Sequence, residues 1–248
     1  MRYFLEIAYN GKNYHGWQIQ PDAVSVQEVL EDALSTQLRD TIKITGAGRT
    51  DTGVHARQLF AHFDCPEVTD CEKIVFQLNS LLPKDISVKK IIPVKEDAHA
   101  RFDAVEREYE YLITLKKDPF QIEFMHLIHK KPNVEAMNNA CKILLGHQDF
   151  QCFSKNKTGV KTYYCDIKLA HWKLNGDQLV FTIRADRFLR NMVRAIVGTL
   201  LEVGSGKITC DDLRTIIESK HRSNAKTSAP AKGLYLTKVV YPYALKSV

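Results

Sequence analysis

The sequence predicts an α+β fold, in which helices cover mostly antiparallel sheets. Helical and extended patterns alternate along the chain, which by itself would also suit a parallel sheet. The dipeptide Asn175-Gly176, however, separates Thr162–Leu174 from Gln178–Ala185 and is typical of the tight turn of an antiparallel hairpin. Tyr109, Tyr111 and Ile113 also alternate with Glu108, Glu110 and Leu112, a pattern that favours a strand of a mostly antiparallel sheet.

The first half of the chain combines strand patterns with two marked helix starts. A helix is predicted to begin after Ser25, because Ser25 and Glu28 have capping-box spacing and precede an apolar pattern of helical period. The same spacing in Thr69 and Glu72 predicts a second helix, which Pro83 ends. The predicted strands are Arg2–Tyr9, Ile42–Thr45, Gln58–Asp64 and Ile86–Val94.

The second half repeats this rhythm. Asn133 is predicted to cap a helix that runs to Leu145, with Gly146 as its end. A long helix is predicted over Phe188–Val203, and a short capped helix after Thr209. The remaining strands are the two of the hairpin, the one around Tyr109 and a last one at Gly233–Tyr241.

The composition is that of an ordinary globular protein. Of the 248 residues, 44% are hydrophobic and 26% are charged, so a packed core is possible. No stretch approaches the roughly 20 apolar residues that a membrane helix needs. We therefore expect a soluble, cytoplasmic protein.

Charge and cysteine content narrow the function only a little. The formal net charge of +6 mildly favours a polyanionic partner. None of the six cysteines forms a C-x-x-C pair, which argues against a zinc site and predicts small buried apolar residues.

The densest polar segment runs from Gly46 to Ala56, between two predicted strands. Its opening, Gly46-x-Gly48, imitates a dinucleotide-binding fingerprint. The sixth position of that pattern is Asp51, which would place a negative charge where a pyrophosphate must approach, and no long helix follows. We therefore reject dinucleotide binding at this loop.

Asp51 itself lies on a glycine-framed loop, two residues after Arg49. Glycines let such a loop be held rigid and close to a ligand, and a nearby guanidinium would keep a nucleophilic carboxylate ionised. Without further information, a solvated ion pair on a tight turn is the commoner explanation. His55 is interpreted as a structural hydrogen-bonding residue, because no third metal ligand stands at a telling spacing.

The segment Gly48–Ala56 resembles the signature motif of the tRNA pseudouridine synthase A family. One departure is Thr52, which stands where many members carry alanine and which concerns local packing only. Further segments match the family in the expected order, and they are Tyr14–Gln18, Ser25–Glu28, Leu81–Ile86, His99–Ala104, Arg107–Tyr111, Phe188–Arg194 and Ala229–Leu234. The resemblance therefore spans nearly the whole chain.

The resemblance implies roles for four residues. Asp51 matches the catalytic aspartate, whose carboxylate attacks the uridine nucleoside. Tyr109 matches the active-site tyrosine, whose ring is suited to stacking on an extruded base and whose hydroxyl could help remove the C5 proton. Arg194 matches the basic partner of the aspartate. Arg49 matches the arginine that helps to hold or extrude the target nucleotide.

Simpler explanations exist for Tyr109 and Arg194 when the resemblance is set aside. Tyr109 would be an ordinary strand aromatic. A helix over Phe188–Val203 would bring Arg187, Arg190 and Arg194 near one side, which also suits a solvated basic stripe.

The resemblance also implies an architecture and a substrate. Two α+β halves, residues 1–103 with Asp51 and 104–248 with Tyr109 and Arg194, join their sheets into one extended sheet with an active-site cleft between them. The protein would be a homodimer that isomerises uridines at positions 38, 39 and 40 of the tRNA anticodon stem-loop. Because the net reaction is an isomerisation, we expect no redox cofactor, nucleotide or metal.

Two rival functions remain to be tested. A non-catalytic RNA-binding or RNA-chaperone protein could have kept the same scaffold, although the presence of Asp51, Tyr109 and Arg194 argues against a decayed site. The second rival is a nucleotide-binding oxidoreductase inferred from Gly46-x-Gly48, and an absence of NAD binding in a fluorescence titration would remove it. Three lysines are candidates for contacts with tRNA phosphates, although a solvated loop explains them equally well, and they are Lys155, Lys157 and Lys161.

Overall fold

A computed structural model of the chain describes residues 1–155 and 159–245. The chain divides into two compact units: Met1–Val105 together with the chain from Tyr235 on, and Glu106–Leu234. Each unit combines a sheet with helices, which confirms the predicted α+β class. Within the described ranges, no helix has both the length and the apolar character needed to cross a membrane.

The helices and strands of the described chain are interspersed along the sequence. In order they are β1 (Arg2–Tyr9), α1 (Val26–Leu38), β2 (Thr45–Gly46), β3 (His55–Asp64), α2 (Cys71–Leu81), β4 (Ile86–Val94), β5 (Glu106–Thr114), β6 (His126–Leu127), α3 (Val134–Leu145), β7 (Ile167–Asn175), β8 (Gln178–Ala185), α4 (Met192–Gly204), α5 (Cys210–Ser219) and β9 (Leu234–Val240).

The sheet of the first unit has the strand order β4-β1-β3-β9. β1 is antiparallel to both of its neighbours, so that Leu5 pairs with Ala61 on β3 and with Ile91 on β4. β9 pairs in parallel with the start of β3, where Tyr235 lies opposite His55, whereas β2 pairs near the end of β3. The short β2 therefore delivers the chain into the Gly46–Ala56 segment, and β3 carries it away.

The helix starts of this unit show how local chemistry sets boundaries. The Ser25 hydroxyl accepts the Glu28 N–H and the Glu28 carboxylate accepts the Ser25 N–H, which confirms the predicted capping box. The start of α2 was predicted one residue early. Asp70, not Thr69, is its N-cap, and its carboxylate accepts the Lys73 N–H at 2.9 Å.

The predicted strand Ile42–Thr45 is the main difference in the first unit. Ile42 donates its N–H to the Ser35 hydroxyl at 2.9 Å, and Ile44 donates its N–H to the Glu31 carboxylate at 3.1 Å. Because side chains of α1 take the hydrogen bonds that a neighbouring strand would take, only Thr45–Gly46 pairs in the sheet.

The sheet of the second unit has the order β5-β8-β7, with antiparallel pairing throughout, and β6 adds a short parallel pair at the end of β5. The predicted hairpin is confirmed, because Asn175 pairs with Gln178 and Gly176 has a φ of 58°. β7 begins later than predicted, since Phe150 and Cys165 make loop hydrogen bonds to Tyr163 and Gln148. Asn133 caps α3 as predicted, and Gly146 ends it.

The start of α4 also differs from the prediction. The helix begins at Met192, because Asn191 has a left-handed backbone with a φ of 65° that no helix can continue through. Arg190 lies in the turn before the helix, where its carbonyl accepts the Lys155 N–H at 3.0 Å. The predicted stripe of Arg187, Arg190 and Arg194 on one helix face is therefore wrong, and only Arg194 belongs to α4.

Candidate active site

The Asp51 loop, residues 47–54, connects β2 to β3. The Asp51 side chain is half-buried, whereas Arg49 is exposed. The Asp51 carbonyl accepts the Val54 N–H at 3.1 Å, and Gly53 inside this turn has a φ of 76°. The turn therefore reverses the chain directly after the carboxylate, with glycine where the backbone must be left-handed.

A second segment, Tyr14–Trp17, runs against the Asp51 loop and holds it by backbone hydrogen bonds. The Trp17 N–H donates to the Thr50 carbonyl at 3.2 Å, and the Gly53 N–H donates to the Tyr14 carbonyl at 3.3 Å. These two bonds bracket Asp51 in sequence. The carboxylate therefore projects from a backbone that is fixed on both sides.

Glycine permits this close approach at two points. A Cβ atom on Gly16, whose φ is 88°, would lie 2.4 Å from the Thr50 carbonyl oxygen. A Cβ atom on Gly11 would lie 2.0 Å from the Val54 carbonyl oxygen. Both distances are far below van der Waals contact, so the loop can be packed this tightly only against residues that lack a side chain.

Two buried side chains support the loop from within the first unit. The Tyr9 hydroxyl and the Thr50 hydroxyl share a hydrogen bond of 2.8 Å. His55 accepts the Gly11 N–H at Nδ1, at 3.1 Å, and its ring stacks on Tyr235 with 4.6 Å between centroids. The interpretation of His55 as a structural hydrogen-bonding residue is confirmed.

Asp85 anchors the segment that leads into this clamp. Its carboxylate accepts the Tyr14 hydroxyl at 2.6 Å and the Asn13 amide at 3.1 Å, while its carbonyl accepts the Asn10 N–H at 2.8 Å. Burial and the neighbouring Asp85 carboxylate raise the pKa of Tyr14, so the phenol keeps the proton that it donates. A chain of contacts thus joins the start of β4 to the Asp51 loop.

In the second unit, Tyr109 and Tyr111 lie on the same face of β5, two residues apart. Tyr109 is buried opposite Ile183 and meets the Phe188 ring edge-on, with 5.2 Å between centroids. Tyr111 is fully buried and donates its hydroxyl to the Pro230 carbonyl at 2.8 Å. Burial raises the pKa of Tyr111, which keeps that hydroxyl protonated.

Arg194 lies in the first turn of α4 and is half-buried. Its Nε–H donates to the Ala229 carbonyl at 2.8 Å, and the Ala229 N–H donates to the Arg194 carbonyl at 2.9 Å. The guanidinium lies close enough to Tyr111 for its charge to oppose the rise in that tyrosine's pKa. Arg194 is thus fixed against the segment before β9 and beside the β5 tyrosines.

Comparison with known proteins identifies the family. A family model described as tRNA pseudouridine synthase matches residues 7–103 and 140–242. The tRNA pseudouridine synthase A of Parabacteroides distasonis is 54% identical over 245 residues, covering 98% of this chain and 97% of that protein. The tRNA pseudouridine synthase A of Bacillus subtilis is 40% identical over 245 residues, covering 97% of this chain and 99% of that protein. This chain belongs to the tRNA pseudouridine synthase family.

The structure explains another segment that resembles the family, His99–Ala104. Burial lowers the pKa of His62 to about 4, so this histidine is neutral, and its Nδ1 accepts the Ala100 N–H at 3.1 Å. His99 in turn accepts the N–H groups of Arg101 and Phe102 at its own Nδ1. The segment is therefore a turn built around two histidines of the first unit.

The predicted site residues of this pseudouridine synthase family member fall into two groups. Arg49 and Asp51 share the loop of the first unit, and Tyr109 and Arg194 belong to the second. Of the lysines considered for tRNA contact, Lys155 and Lys161 are exposed, and Lys157 lies outside the described residues. In the part of the chain that the structure describes, no three His, Cys, Asp or Glu side chains cluster as a metal site would need.

Sequence reasoning assigned no role to several residues that support these groups. The alternation along β5 already placed Tyr111 on the face of Tyr109, so its position could have been inferred. Nothing local to Asp85 or to Ala229 signals that they hold the Tyr14 segment and Arg194, because each partner is far away in sequence.

Proposed function

We propose that this protein isomerises uridine to pseudouridine in tRNA, with Asp51 as the nucleophile. The observation that carries the proposal is the Asp51 loop, whose backbone is clamped on both sides by Tyr14–Trp17. A carboxylate that is held in place before the substrate arrives loses little freedom when it attacks, which is a large part of what an enzyme can contribute to a rate. Membership of the tRNA pseudouridine synthase family supports the same conclusion.

The reaction rearranges bonds without a net change in composition. Asp51 attacks the nucleoside, at C1′ of the ribose or at C6 of the base, and the N1–C1′ bond breaks. The freed base rotates, a C5–C1′ bond forms, the bond between the Asp51 carboxylate and the nucleoside breaks, C5 loses its proton and N1 gains one. Every bond that breaks is matched by one that forms, so the carboxylate and a proton acceptor supply the required chemistry.

Tyr109 and Arg194 are proposed to act on the same uridine as Asp51. Tyr109 would stack on the extruded base and help to take the C5 proton. Arg194, fixed through its Nε–H, would be the basic partner of the nucleophile. The exposed Arg49 would hold or extrude the target nucleotide, a step that costs a few kcal/mol of lost stacking.

The finer substrate proposal is the anticodon stem-loop of tRNA, at positions 38, 39 and 40, acted on by a homodimer in the cytoplasm. These points rest on the family resemblance. Contacts with backbone phosphates would supply much of the affinity, and exposed lysines such as Lys155 and Lys161 suit that role. Binding would then weaken steeply as salt is raised.

The test is release of tritium from tRNA transcripts that carry 5-tritiated uridine. The unmodified protein should release tritium, because forming the C5–C1′ bond expels the C5 hydrogen. Asp51→Asn should lower the rate by about 10⁴-fold or more, as removal of a nucleophile does. Asp22→Asn is the matched control, because Asp22 is exposed with a φ of 58° that asparagine tolerates.

The outcomes separate the proposed function from its rival. Binding of these tRNAs without any tritium release by the unmodified protein would favour a non-catalytic RNA-binding protein. Equal release by the unmodified protein and by Asp51→Asn would keep the reaction but remove Asp51 as its nucleophile.

A further inference from the structure

Residues 225–230, which we call the Arg194 bracket, lie along the start of α4. Ala229 within the bracket exchanges two hydrogen bonds with Arg194, one to the side-chain Nε–H at 2.8 Å and one between backbones at 2.9 Å. Pro230, the next residue, accepts the Tyr111 hydroxyl at 2.8 Å. The bracket therefore holds the Arg194 side chain at its Nε–H.

Arg222, which lies just before the bracket in sequence, also holds it by hydrogen bonds. Arg222 donates from Nη2 to the Ser228 hydroxyl at 2.8 Å, and from Nη1 to the carbonyls of Ala225 and Lys226 at 3.3 and 3.4 Å. The guanidinium thus contacts the bracket at Ala225, Lys226 and Ser228. Because its two terminal nitrogens serve separate acceptors in a planar fork, a lysine ammonium at this position keeps the charge but cannot replace the contacts.

Ser228 connects Arg222 to the beginning of α4 by a second hydrogen bond. Its hydroxyl also accepts the Asn191 side-chain amide at 2.7 Å, which uses its second acceptor site. Asn191 is the N-cap of α4 and has a left-handed backbone, a conformation that asparagine tolerates better than most residues. Arg222, Ser228 and Asn191 therefore connect the bracket to the turn that precedes Arg194.

The bracket also packs directly on the helix. A Cβ atom at Gly198 would lie 1.9 Å from the Thr227 carbonyl oxygen, and the Thr199 hydroxyl accepts the Lys226 N–H at 3.2 Å. The bracket thus packs on α4 through its backbone and is also held by the hydrogen bonds of Arg222. Arg222 is therefore placed to influence the orientation of the Ala229 carbonyl toward Arg194.

We infer that Arg222 is a positioning residue for Arg194, acting through Ser228 and the Arg194 bracket. The inference rests on the proposed function, in which Arg194 serves the reaction. The hydrogen bonds of Arg222 go to Ala225, Lys226 and Ser228, so its effect on the rate passes through the bracket.

The kinetic test uses Arg222→Lys in the full-length protein. We expect single-turnover tritium release to slow by about tenfold, the order expected when a reacting group is slightly misplaced, with tRNA Kd within about twofold of the unmodified protein. Arg214→Lys is the matched control, since Arg214 lies on α5 and pairs with Asp211 at the surface. It should leave both quantities unchanged.

A double-mutant cycle shows whether Arg222 acts through Arg194. In an Arg194→Lys background, Arg222→Lys should slow release no further, because the group that it positions is gone. A tenfold loss in both backgrounds would overturn the inference, and so would a rise in tRNA Kd that accounts for the whole effect.

A readout independent of activity separates this inference from the proposed function. In NMR spectra, the Arg194 Nε–H signal, assigned by its absence in Arg194→Lys, should exchange slowly with water in the unmodified protein. Arg222→Lys should speed that exchange by about tenfold while Arg214→Lys leaves it unchanged. Unchanged exchange in Arg222→Lys overturns the inference. Failure of the unmodified protein to release tritium overturns the proposed function alone.

Discussion

The Asp51 loop and the Arg194 region are both held rigid, but by different means. Asp51 is bracketed by hydrogen bonds between backbones, from Trp17 to Thr50 and from Gly53 to Tyr14. Arg194 is held by the Arg194 bracket, which is itself held by side-chain hydrogen bonds. Arg222 and Asn191 both donate to the Ser228 hydroxyl in that bracket. The first arrangement depends on how closely two backbones can approach, and the second depends on which polar side chains are present.

This difference determines which substitutions each region can absorb. Backbone hydrogen bonds survive most changes of side chain, so the Asp51 loop is vulnerable chiefly at the glycines that allow the approach, Gly11 and Gly16. The Arg194 region loses a side-chain hydrogen bond whenever one polar partner is removed, and the remaining hydrogen bonds must then hold the segment. Three substitutions test this contrast, from the largest expected effect to the smallest.

Gly16→Ala should have the largest effect. The new Cβ would meet the Thr50 carbonyl oxygen at 2.4 Å on a backbone with a φ of 88°, so strain and clash add. We expect a loss of about 2–4 kcal/mol in the free energy of unfolding, with a matching fall in tritium release. Urea denaturation measures the stability.

Gly176→Ala is the control for Gly16→Ala, because Gly176 also has a positive φ, of 58°, but no atom within 4 Å of the added Cβ. It should cost about 1 kcal/mol, from backbone strain alone. Equal losses in the two variants would show that close approach to Thr50 is not what the Asp51 loop requires.

Gly198→Ala should have an intermediate effect on stability. The added Cβ would meet the Thr227 carbonyl at 1.9 Å, but alanine also favours the helix, which offsets part of the cost. We expect a net loss of about 1–2 kcal/mol and a fall in the tritium-release rate, because the Arg194 bracket must move away from α4.

The matched control for Gly198→Ala is Gly146→Ala at the end of α3, where the nearest atom to an added Cβ is 3.6 Å away. Its free energy of unfolding should change by less than about 0.5 kcal/mol. If Gly198→Ala lowered stability yet left the release rate at its full value well below the melting temperature, the bracket would not position Arg194.

Tyr9→Phe should have the smallest effect of the three. It removes the 2.8 Å hydrogen bond to the Thr50 hydroxyl, a buried side-chain contact, while the backbone bonds of the Asp51 loop remain. The expected loss in the free energy of unfolding is about 1 kcal/mol.

Tyr164→Phe, at an exposed tyrosine, is the control for Tyr9→Phe and should change the free energy of unfolding by less than about 0.5 kcal/mol. A loss for Tyr9→Phe as large as that for Gly16→Ala would mean that side chains, not backbone approach, hold this loop.

The same contrast explains what the sequence could predict of the fold. Ends marked by local chemistry were found, as at Ser25, Asn133 and Gly146, because the group that ends the element lies within a few residues of it. The strand predicted at Ile42–Thr45 was wrong in extent, since side chains of α1 capture its N–H groups. Such competition depends on tertiary packing, which no local pattern encodes.

The candidate site divides in the same way. The Asp51 loop can be predicted from its glycines and from the carboxylate among them, because all of these residues lie within a single stretch of sequence. The position of Arg194 depends on Ala229 and Arg222, which lie about 30 residues further along the chain, so neither local spacing nor composition could reveal them. The side-chain amide of Asn191, the left-handed residue before α4, likewise donates to the hydroxyl of Ser228, which is distant in sequence.

The first unit is discontinuous, and this has a consequence for synthesis on the ribosome. Residues up to Val105 emerge first, yet β3 keeps an open edge beside His55 until Tyr235 is made. At 5–20 residues per second, that edge waits for roughly ten seconds. During this interval the nascent chain presents a strand edge that can pair with other chains, and His55 lacks the ring on which it stacks in the finished protein.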